Sequence, residues 1–351
     1  MSCFKRRIAR KTVLVMVCVF LAGFFAVELP AKGKKAPSHG VRGRQLGVTP
    51  YDLFSVTFPT ENNGWACGRW GTIVSTDDGG KTWKTQTSGT DYTLASISFV
   101  DSNTGWAVGD ASTILHTNDG GKSWTKQKSP EQGNFFMGVC FVNRKKGWIV
   151  GERTTILGTE DGGATWTVQS KDAEYLLKSV SFADENTGWA AGEYGYIYHT
   201  NDGGKSWKHQ AGKWGISEET GDVVAENYIF RITALSPHSA MGVGIDGYMV
   251  STNDAGKTWK PLRTDIMKTH LFGLAHQNGR LAVGGAGLLS SGAVGANKFG
   301  TAKAEPPVIY GYIYDITTKG KEGFVAVGKE GWVYLSDTTG TAWHIAGSNK
   351  N

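Results

Sequence analysis

The sequence has little cysteine, little arginine and no segment with a convincing helical period. Four cysteines occur in 351 residues, and Cys3 and Cys18 lie in an N-terminal leader. Cys67 and Cys140 fall in different repeats, so a disulfide between them is not expected. Only six arginines follow Arg44, which excludes a dense arginine patch. The eight histidines lack close ligand spacing and no phosphate-binding glycine loop occurs, so no metal and no cofactor are predicted.

The excess of basic residues is confined to the N-terminal region. The formal net charge is +6, but the chain beyond Arg44 carries 27 basic and 30 acidic residues. A nucleic-acid partner requires a basic stripe on the folded domain. No nucleic-acid partner is therefore predicted.

Residues 1–31 resemble an export signal, because the basic stretch from Lys5 to Lys11 precedes an apolar run from Thr12 to Val27. They predict a signal peptide or an N-terminal membrane anchor, and hence a periplasmic or extracytoplasmic protein that can be membrane-anchored. Residues 32–50 are basic, polar and interrupted by glycine, which is typical of a flexible linker. Residues 51–351 are expected to form one folded domain.

An octapeptide, TDDGGKTW at Thr76 to Trp83, recurs along the chain. Four close copies and one degenerate copy end at Trp124, Trp166, Trp207, Trp259 and Trp343. The terminal tryptophans are 41, 42, 41, 52 and 84 residues apart. Since 84 is twice 42, one repeat has kept its length without its motif, and the sequence contains seven repeats.

Each repeat predicts four short strands separated by glycine- and asparagine-rich turns. Seven such units indicate an all-β protein, a seven-bladed β-propeller of four-stranded antiparallel blades. In the octapeptide, the aspartate typified by Asp78 is expected to accept backbone N–H groups in the turn between third and fourth strands. Gly80 permits a positive φ, and Trp83 packs into the blade. A calcium loop is the alternative, but the distal oxygen ligands are missing.

A second repeated element, NTGWAVG and its variants, is interpreted as the second strand of each blade. It places tryptophan at Trp65, Trp106, Trp148, Trp189 and Trp332. Two tryptophans, Trp70 and Trp214, lie outside both repeated patterns. Tryptophan in a loop is either a binding anchor or part of the packing of that loop.

The octapeptide resembles the Asp-box, or bacterial neuraminidase repeat, of sialidases and other propellers. The longer pattern, with GWAVG, TIL and DGG followed by TW, resembles the photosystem II stability and assembly factor family of cyanobacteria and plastids. This resemblance covers about residues 51 to 343. It implies a non-catalytic extracytoplasmic propeller that binds a newly inserted membrane protein through one face with the help of arginines. The small number of arginines departs from that pattern.

The turns between second and third strands vary while the rest of the repeat is kept, so they are predicted to bind the partner together with the connections between blades. The candidates on these turns are Arg69, Trp70, Glu152, Arg153, Glu193, Tyr194, Asp246, Lys329 and Glu330. An insertion at 208–227 contains Trp214 and should project over the same face. Ordinary solvated turn residues remain the alternative interpretation.

The competing function is that of a secreted carbohydrate-active protein, either a divergent sialidase-like glycosidase or a sugar-binding module. FRIT at Phe230 to Thr233 is similar to the FRIP element of sialidases, but it follows the fourth octapeptide instead of preceding the first. Asp246 and Glu152 would be the nominal carboxylate pair of a glycosidase. Without a catalytic constellation, the sequence favours a monomeric, non-enzymatic scaffold that binds a protein partner, a subunit of a membrane or envelope complex, and helps to assemble or stabilise it.

Overall fold

The computed structural model describes residues 47–351 except 172, 218–219, 221–222, 267, 310 and 348–351. The predicted leader, 1–31, and most of the predicted linker lie outside the described residues. Residues 47–50 lie against the last blade, where the N–H of Val48 donates to the carbonyl of Gly331 at 3.0 Å. Among the described residues, no helix is long and apolar enough to cross a membrane.

The strands of the first four blades follow the repeats in order. Blade one holds β1 (Leu53–Thr57), β2 (Gly64–Gly68), β3 (Ile73–Thr76) and β4 (Lys84–Gln86). Blade two holds β5 (Leu94–Phe99), β6 (Gly105–Gly109), β7 (Thr113–Thr117) and β8 (Thr125–Lys126). Blade three holds β9 (Phe136–Phe141), β10 (Gly147–Gly151), β11 (Ile156–Thr159) and β12 (Thr167–Ser170). Blade four holds β13 (Leu177–Phe182), β14 (Gly188–Gly192), β15 (Ile197–Thr200) and β16 (Lys208–Ala211).

A two-stranded hairpin, β17 (Trp214–Ile216) and β18 (Val223–Ala225), precedes the last three blades. Blade five holds β19 (Ile229–Ser236), β20 (Ser239–Gly244), β21 (Met249–Thr252) and β22 (Lys260–Pro261). Blade six holds β23 (Leu271–Gln277), β24 (Arg280–Gly285), β25 (Leu288–Ala293) and β26 (Gly300–Thr301). Blade seven holds β28 (Ile313–Thr318), β29 (Phe324–Gly328), β30 (Val333–Ser336) and β31 (Ala342–Ile345), and β27 (Lys303–Glu305) pairs in parallel with β31 as a fifth strand. Short 3-10 turns occupy Arg69–Gly71, Glu152–Thr154, Glu193–Gly195, Ile245–Gly247 and Lys329–Gly331.

The seven first strands form the inner wall of a closed ring. Each contacts the first strand of the next blade, and β28 contacts β1. The predicted fold class, a seven-bladed propeller of four-stranded antiparallel blades, is confirmed. The second strands are buried between neighbouring blades, apart from the first residues of β20 and β24, and GWAVG at Gly105–Gly109 is buried along its whole length. The fourth strands are mostly exposed, so the hydrophobic core lies between blades near the axis.

Serine hydroxyls on the first strands join adjacent blades. The N–H of Ile97 donates to Ser55 Oγ at 3.3 Å, and the N–H of Val139 donates to Ser96 Oγ at 3.2 Å. At the junction of blades seven and one, Asp315 takes the place of the serine, and its Oδ2 accepts the N–H of Val56 at 3.1 Å. At these three junctions, and at the junction of blades four and five where Ser179 Oγ accepts the N–H of Ile232, a polar side chain satisfies a strand N–H of the next blade. Glycine holds the same position in blades three and six, at Gly138 and Gly273.

The octapeptides adopt the predicted turn. In blade two, Asp119 Oδ1 accepts the N–H of Ser123 at 3.0 Å and its Oδ2 accepts the hydroxyl of Ser123 at 2.6 Å. The hydroxyl of Thr117 donates to Asp119 Oδ1 at 2.8 Å and accepts the N–H of Gly121, whose φ is 83°. These donors lower the pKa of Asp119 to about 2. The aspartate is thus used to close its own turn, as predicted.

Three second-strand tryptophans connect their blade to the next one. Trp65, Trp106 and Trp148 are buried, and each donates its indole N–H to a glycine carbonyl in the octapeptide of the following blade, at 3.0 to 3.1 Å. The assignment of Trp332 to this set is wrong, because Trp332 follows the turn and Val325 holds the corresponding register position.

The two cysteines lie in different blades, as the repeats predicted. Cys67 is in the second strand of blade one and Cys140 is in the first strand of blade three, and both are free thiols.

Candidate functional site

Each blade contributes different segments to the two faces of the ring. On one face, the turn between second and third strands contacts the connection to the next blade: the N–H of Ser112 donates to the carbonyl of Asn134 at 2.7 Å. On the other face, the octapeptide contacts the turn between first and second strands of its own blade, where the N–H of Gly79 donates to the carbonyl of Asn62 at 2.9 Å. We call these the turn face and the box face.

The turn face carries non-glycine residues in the left-handed region of backbone conformation. In six of the seven blades a non-glycine residue holds the first of two consecutive positive-φ positions, with φ between 50° and 57°. These residues are Trp70, Ala111, Arg153, Tyr194, Asp246 and Glu330. A turn with two positive φ values strongly prefers Asn-Gly, Asp-Gly or Gly-Gly, because a side chain at such a position costs about 1 kcal/mol or more.

The box face solves the same conformational problem with glycine. At the corresponding two positions of the octapeptide turns, both residues are glycine in blades one to four, for example Gly79 and Gly80 with φ of 73° and 88°. Ala255 in blade five is the exception. Glycine is thus used freely in this chain, and the side chains retained on the turn face stand out against that background.

Arg69 lies at the junction of the turn face and the axis. Its Nη2 is 3.3 Å from Asp52 Oδ2, and its guanidinium carbon is 5.9 Å from the centre of the Phe54 ring. Trp70 follows it in the left-handed position and is half-buried. The two predicted residues of blade one are therefore adjacent, one paired with a carboxylate and the other partly exposed.

Two of the three predicted glutamates, Glu152 and Glu193, accept backbone N–H groups. Glu152 Oε2 accepts the N–H of Phe135 at 3.1 Å, and Glu193 Oε2 accepts the N–H of Leu176 at 3.0 Å. Glu193 is only 5% exposed, and burial raises its pKa. Both carboxylates hold the connection that enters their own blade, whereas Arg153 beside Glu152 is exposed.

The insertion after blade four forms the hairpin β17–β18 and lies beside the turn of blade four. The N–H of Lys213 donates to the carbonyl of Tyr194 at 3.2 Å. The ring of Trp214 is 6.2 Å from that of Tyr194 and 6.5 Å from that of Tyr175. The structure thus brings Trp214 and Tyr194 together in one aromatic cluster on the turn face. The insertion also contains Glu218, Glu219 and Asp222, which lie outside the described residues.

The remaining predicted residues have partners close to them in the chain or in the next blade. Asp246 Oδ1 is 3.4 Å from His270 Nδ1, which also accepts the N–H of Asp246 at 3.1 Å. In blade seven, Lys329 Nζ is 3.4 Å from Glu330 Oε1. Glu330 and Asp246 are in non-adjacent blades and do not share a partner, so the turn face presents separate mixed-charge sites.

Seven β-bulges line the axis, and the sequence patterns did not indicate them. In every blade the pairing of first and second strands skips one residue near the start of the first strand. The skipped residues are Phe54, Ala95, Met137, Lys178, Phe230, Phe272 and Tyr314. We call them the axial ring. A bulge re-aims the side chain that it leaves out of the ladder, and neighbouring rings meet here, with Phe54 5.2 Å from Tyr314 and Phe230 4.9 Å from Phe272.

Three charged residues occur on the inner wall. Lys178, Arg231 and Asp315 are the only Asp, Glu, Lys or Arg residues on the seven first strands. Arg231 Nη2 is 3.3 Å from Asp315 Oδ1, although their blades are separated by blade six. Gly273 of blade six permits this approach, because a Cβ there would lie 2.9 Å from the backbone N of Ile316.

The electrostatics of this group follow from burial. Burial raises the pKa of Asp315, and the guanidinium of Arg231 opposes that rise. Burial also lowers the pKa of Lys178 to about 8, against the opposing effect of Asp315. Blades four and seven are not neighbours, so this interaction crosses the axis. The sequence signal for this group was a charged residue inside an otherwise mainly apolar first strand, as in LKSVSF, FRIT and IYDIT. Among the described residues, no group of His, Cys, Asp or Glu has the arrangement of a metal site.

A family model described as photosynthesis system II assembly factor YCF48 matches residues 42–134 and 126–267. These matches span more than half of the chain. The chain belongs to the YCF48 assembly factor family. The predicted resemblance is confirmed, and no curated protein sequence matches the chain.

Solved structures of YCF48 proteins share the fold. A structure titled YCF48 bound to D1 peptide is 20% identical, with a TM-score of 0.66 over 82% of this chain and 95% of that chain. YCF48 from Cyanidioschyzon merolae is 18% identical, with a TM-score of 0.65 over 81% of this chain and 95% of that one. The GH74 xyloglucanase from Xanthomonas campestris is 12% identical, with a TM-score of 0.63 over 86% of this chain and 55% of that chain.

Proposed function

We propose that the turn face binds a polypeptide segment of a subunit of a membrane or envelope protein complex, and that the protein is a non-catalytic scaffold for assembling or stabilising that complex. We further propose that it acts outside the cytoplasm, after export directed by residues 1–31, either released or anchored by that segment.

The observation that carries this proposal is the set of strained turns. Six of seven equivalent turns keep a side chain where glycine would relieve about 1 kcal/mol or more each, and the box face of the same blades uses glycine. Strained residues that differ from blade to blade on one face are expected where contacts, and not the fold, decide the residue. Tryptophan, tyrosine and arginine, which stand at three of these positions, are the residue types enriched in binding hot spots.

Membership of the YCF48 family supports a protein partner and not a small molecule. The related structure with a bound D1 peptide shows that a propeller of this family can hold a peptide. The arginines that follow Arg44 are few and scattered, which departs from the family pattern. The partner of this chain is therefore proposed as a class, and the D1 peptide is not carried over to it.

The test is capture of membrane proteins from the source organism on the immobilised chain. Detergent-solubilised membranes are passed over the wild type, Trp70→Ala, Trp214→Ala and a control, Lys122→Ala, which changes an exposed octapeptide residue on the box face. The wild type and Lys122→Ala are expected to retain the same membrane protein, and the two tryptophan variants to retain at least tenfold less while remaining folded. Equal capture by all four proteins would refute the turn face as the binding surface. Glycosidase turnover that is abolished by Asp246→Asn or Glu152→Gln would instead establish the carbohydrate-active alternative.

A further inference from the structure

Resting on the proposed function, we infer that one carboxylate of the bound polypeptide binds at the axis on the turn face. Lys178 of the axial ring and the neighbouring Arg231 would hold this carboxylate. The carboxylate comes either from the C-terminus of the segment or from an acidic side chain within it. Both sources present the same chemistry to the site.

The charge of the inner wall favours an anion. Two cations and one carboxylate stand on the first strands, giving a net charge of +1 where the other first strands carry only neutral residues and His276. Asp315 already has several partners. Its Oδ2 accepts the hydroxyl of Ser55 and the N–H of Val56. Its Oδ1 accepts the N–H of Ile316 and lies 3.3 Å from Arg231 Nη2. Its carboxylate is thus committed to ring closure and to the cations of the inner wall.

Arg231 has donors beyond its contact with Asp315. That ion pair brings one of its nitrogens within 3.3 Å of one carboxylate oxygen, while a guanidinium has five N–H donors in a planar fork suited to bidentate binding of a carboxylate. The side chain of Arg231 is 32% exposed, against 2% for Asp315. An anion reaching the axis therefore meets Arg231 and not the buried carboxylate.

The surroundings would strengthen such a contact. Phe54 and Phe272 of the axial ring are buried, and Phe230 and Tyr314 are half-buried beside them. Ion pairs gain strength where apolar side chains exclude water. Burial lowers the pKa of Lys178 to about 8, a cost to its ammonium that a second anion would offset. The guanidinium of Arg69, on the turn face, lies over the ring of Phe54 and so joins the turn face to the axial ring.

The test uses N-acetylated hexapeptides of randomised sequence in three forms. One form has a free C-terminal carboxylate, one has a C-terminal amide, and one has the amide with a fixed central glutamate. Capture of each form is measured on the full chain as wild type, Lys178→Met and Arg144→Gln. Arg144 is the matched control, since it is a carboxylate-paired arginine on the box face, 2.7 Å from Asp101 Oδ2. Lys178→Met keeps the Arg231–Asp315 pair, so folding is retained and is checked by circular dichroism.

The wild type and Arg144→Gln are expected to capture at least one carboxylate form about tenfold more strongly than the plain amide, and Lys178→Met to lose that preference. Preference for the free terminus identifies a C-terminal carboxylate as the ligand, and preference for the central glutamate identifies a side chain. Equal capture of all forms by the wild type overturns this inference but leaves peptide binding by the turn face intact. Capture of a membrane protein without any peptide form also overturns it, and failure of both captures overturns the proposed function itself.

Discussion

Two second-strand tryptophans allow a matched test of the inter-blade hydrogen bond made by the indole N–H. Trp106 and Trp189 are each 0% exposed and hold the same register position in blades two and four. Trp106 donates to the carbonyl of Gly162 at 3.0 Å. The indole nitrogen of Trp189 is buried and has no hydrogen-bond partner within the part of the chain that the structure describes. Replacement by phenylalanine removes the N–H from both and costs both a similar ring volume.

The two substitutions should therefore differ in their effect on stability. Trp106→Phe loses a hydrogen bond that contributes about 1 kcal/mol, whereas Trp189→Phe removes a buried unsatisfied donor and relieves a desolvation cost of about 1 to 3 kcal/mol. The common loss of volume cancels in the comparison. Trp106→Phe is expected to lower the free energy of unfolding by about 3 kcal/mol more than Trp189→Phe. The carbonyl of Gly162 stays satisfied in the variant, because Gln127 Nε2 also donates to it at 2.9 Å.

The measurement is urea-induced unfolding followed by far-ultraviolet circular dichroism, which reports the loss of β-structure. Equal dependence of the free energy of unfolding on urea in both variants shows that the unfolded states are comparable. Equal losses of stability would refute the inter-blade hydrogen bond as a stabilising contact. A larger loss for Trp189→Phe would also contradict the buried donor as a cost.

Three further predictions concern charge and strain. Among the octapeptide aspartates, Asp119, Asp202 and Asp254 have pKa values of about 2, set chiefly by Ser or Thr hydroxyl and backbone donors, against about 3.9 when unfolded. Their contribution to stability is complete above about pH 4 and is lost as the pH falls towards 2, so Asp119→Asn should lower proton uptake on unfolding near pH 3 by about one proton; an unchanged uptake contradicts this. Asp315→Ala should cost about 3 to 5 kcal/mol of stability in urea, because it leaves Arg231 without its buried counter-ion, and a loss below about 1 kcal/mol would refute the pair. Arg153→Gly should leave the free energy of unfolding unchanged or raise it by up to about 1 kcal/mol while weakening partner capture, and a marked loss of stability would contradict the strain argument.

The repeats predicted the parts of the structure that are local. Seven blades, the aspartate-closed turn typified by Asp119 and the separation of the two cysteines all follow from motifs within about 40 residues. The insertion was correctly placed beside the turn face, since Trp214 lies next to Tyr194. Trp332 was assigned to the wrong element, because a tryptophan after a glycine-containing turn looks like the second-strand pattern when the register is not known.

The axial contacts could not be predicted, because they depend on ring closure. Lys178, Arg231 and Asp315 are 53 and 84 residues apart along the chain, and only the closed ring brings them to one axis. The pairing of β27 with the outer edge of blade seven is likewise a contact between segments with no motif in common. Bulges also leave little trace in sequence, since the skipped residues range from alanine to phenylalanine and lysine.

The backbone of the turn face is joined to the backbone of the axial ring. This connection determines which side chains can change without moving the residues at the axis. In each blade, the first residue of the turn donates its N–H to the carbonyl of the residue directly before the first strand. Arg69 donates to the carbonyl of Asp52 at 3.0 Å, and Lys329 donates to that of Tyr312 at 3.0 Å. The glycine that ends the second strand is required there, because a Cβ on Gly68 would lie 1.9 Å from the carbonyl oxygen of Asp52. The backbone of the turn is thus fixed to the backbone of the axis in every blade. Side chains on the turn can therefore change the surface contacts without displacing the cations beneath them, so peptide sequence and carboxylate recognition can be altered independently.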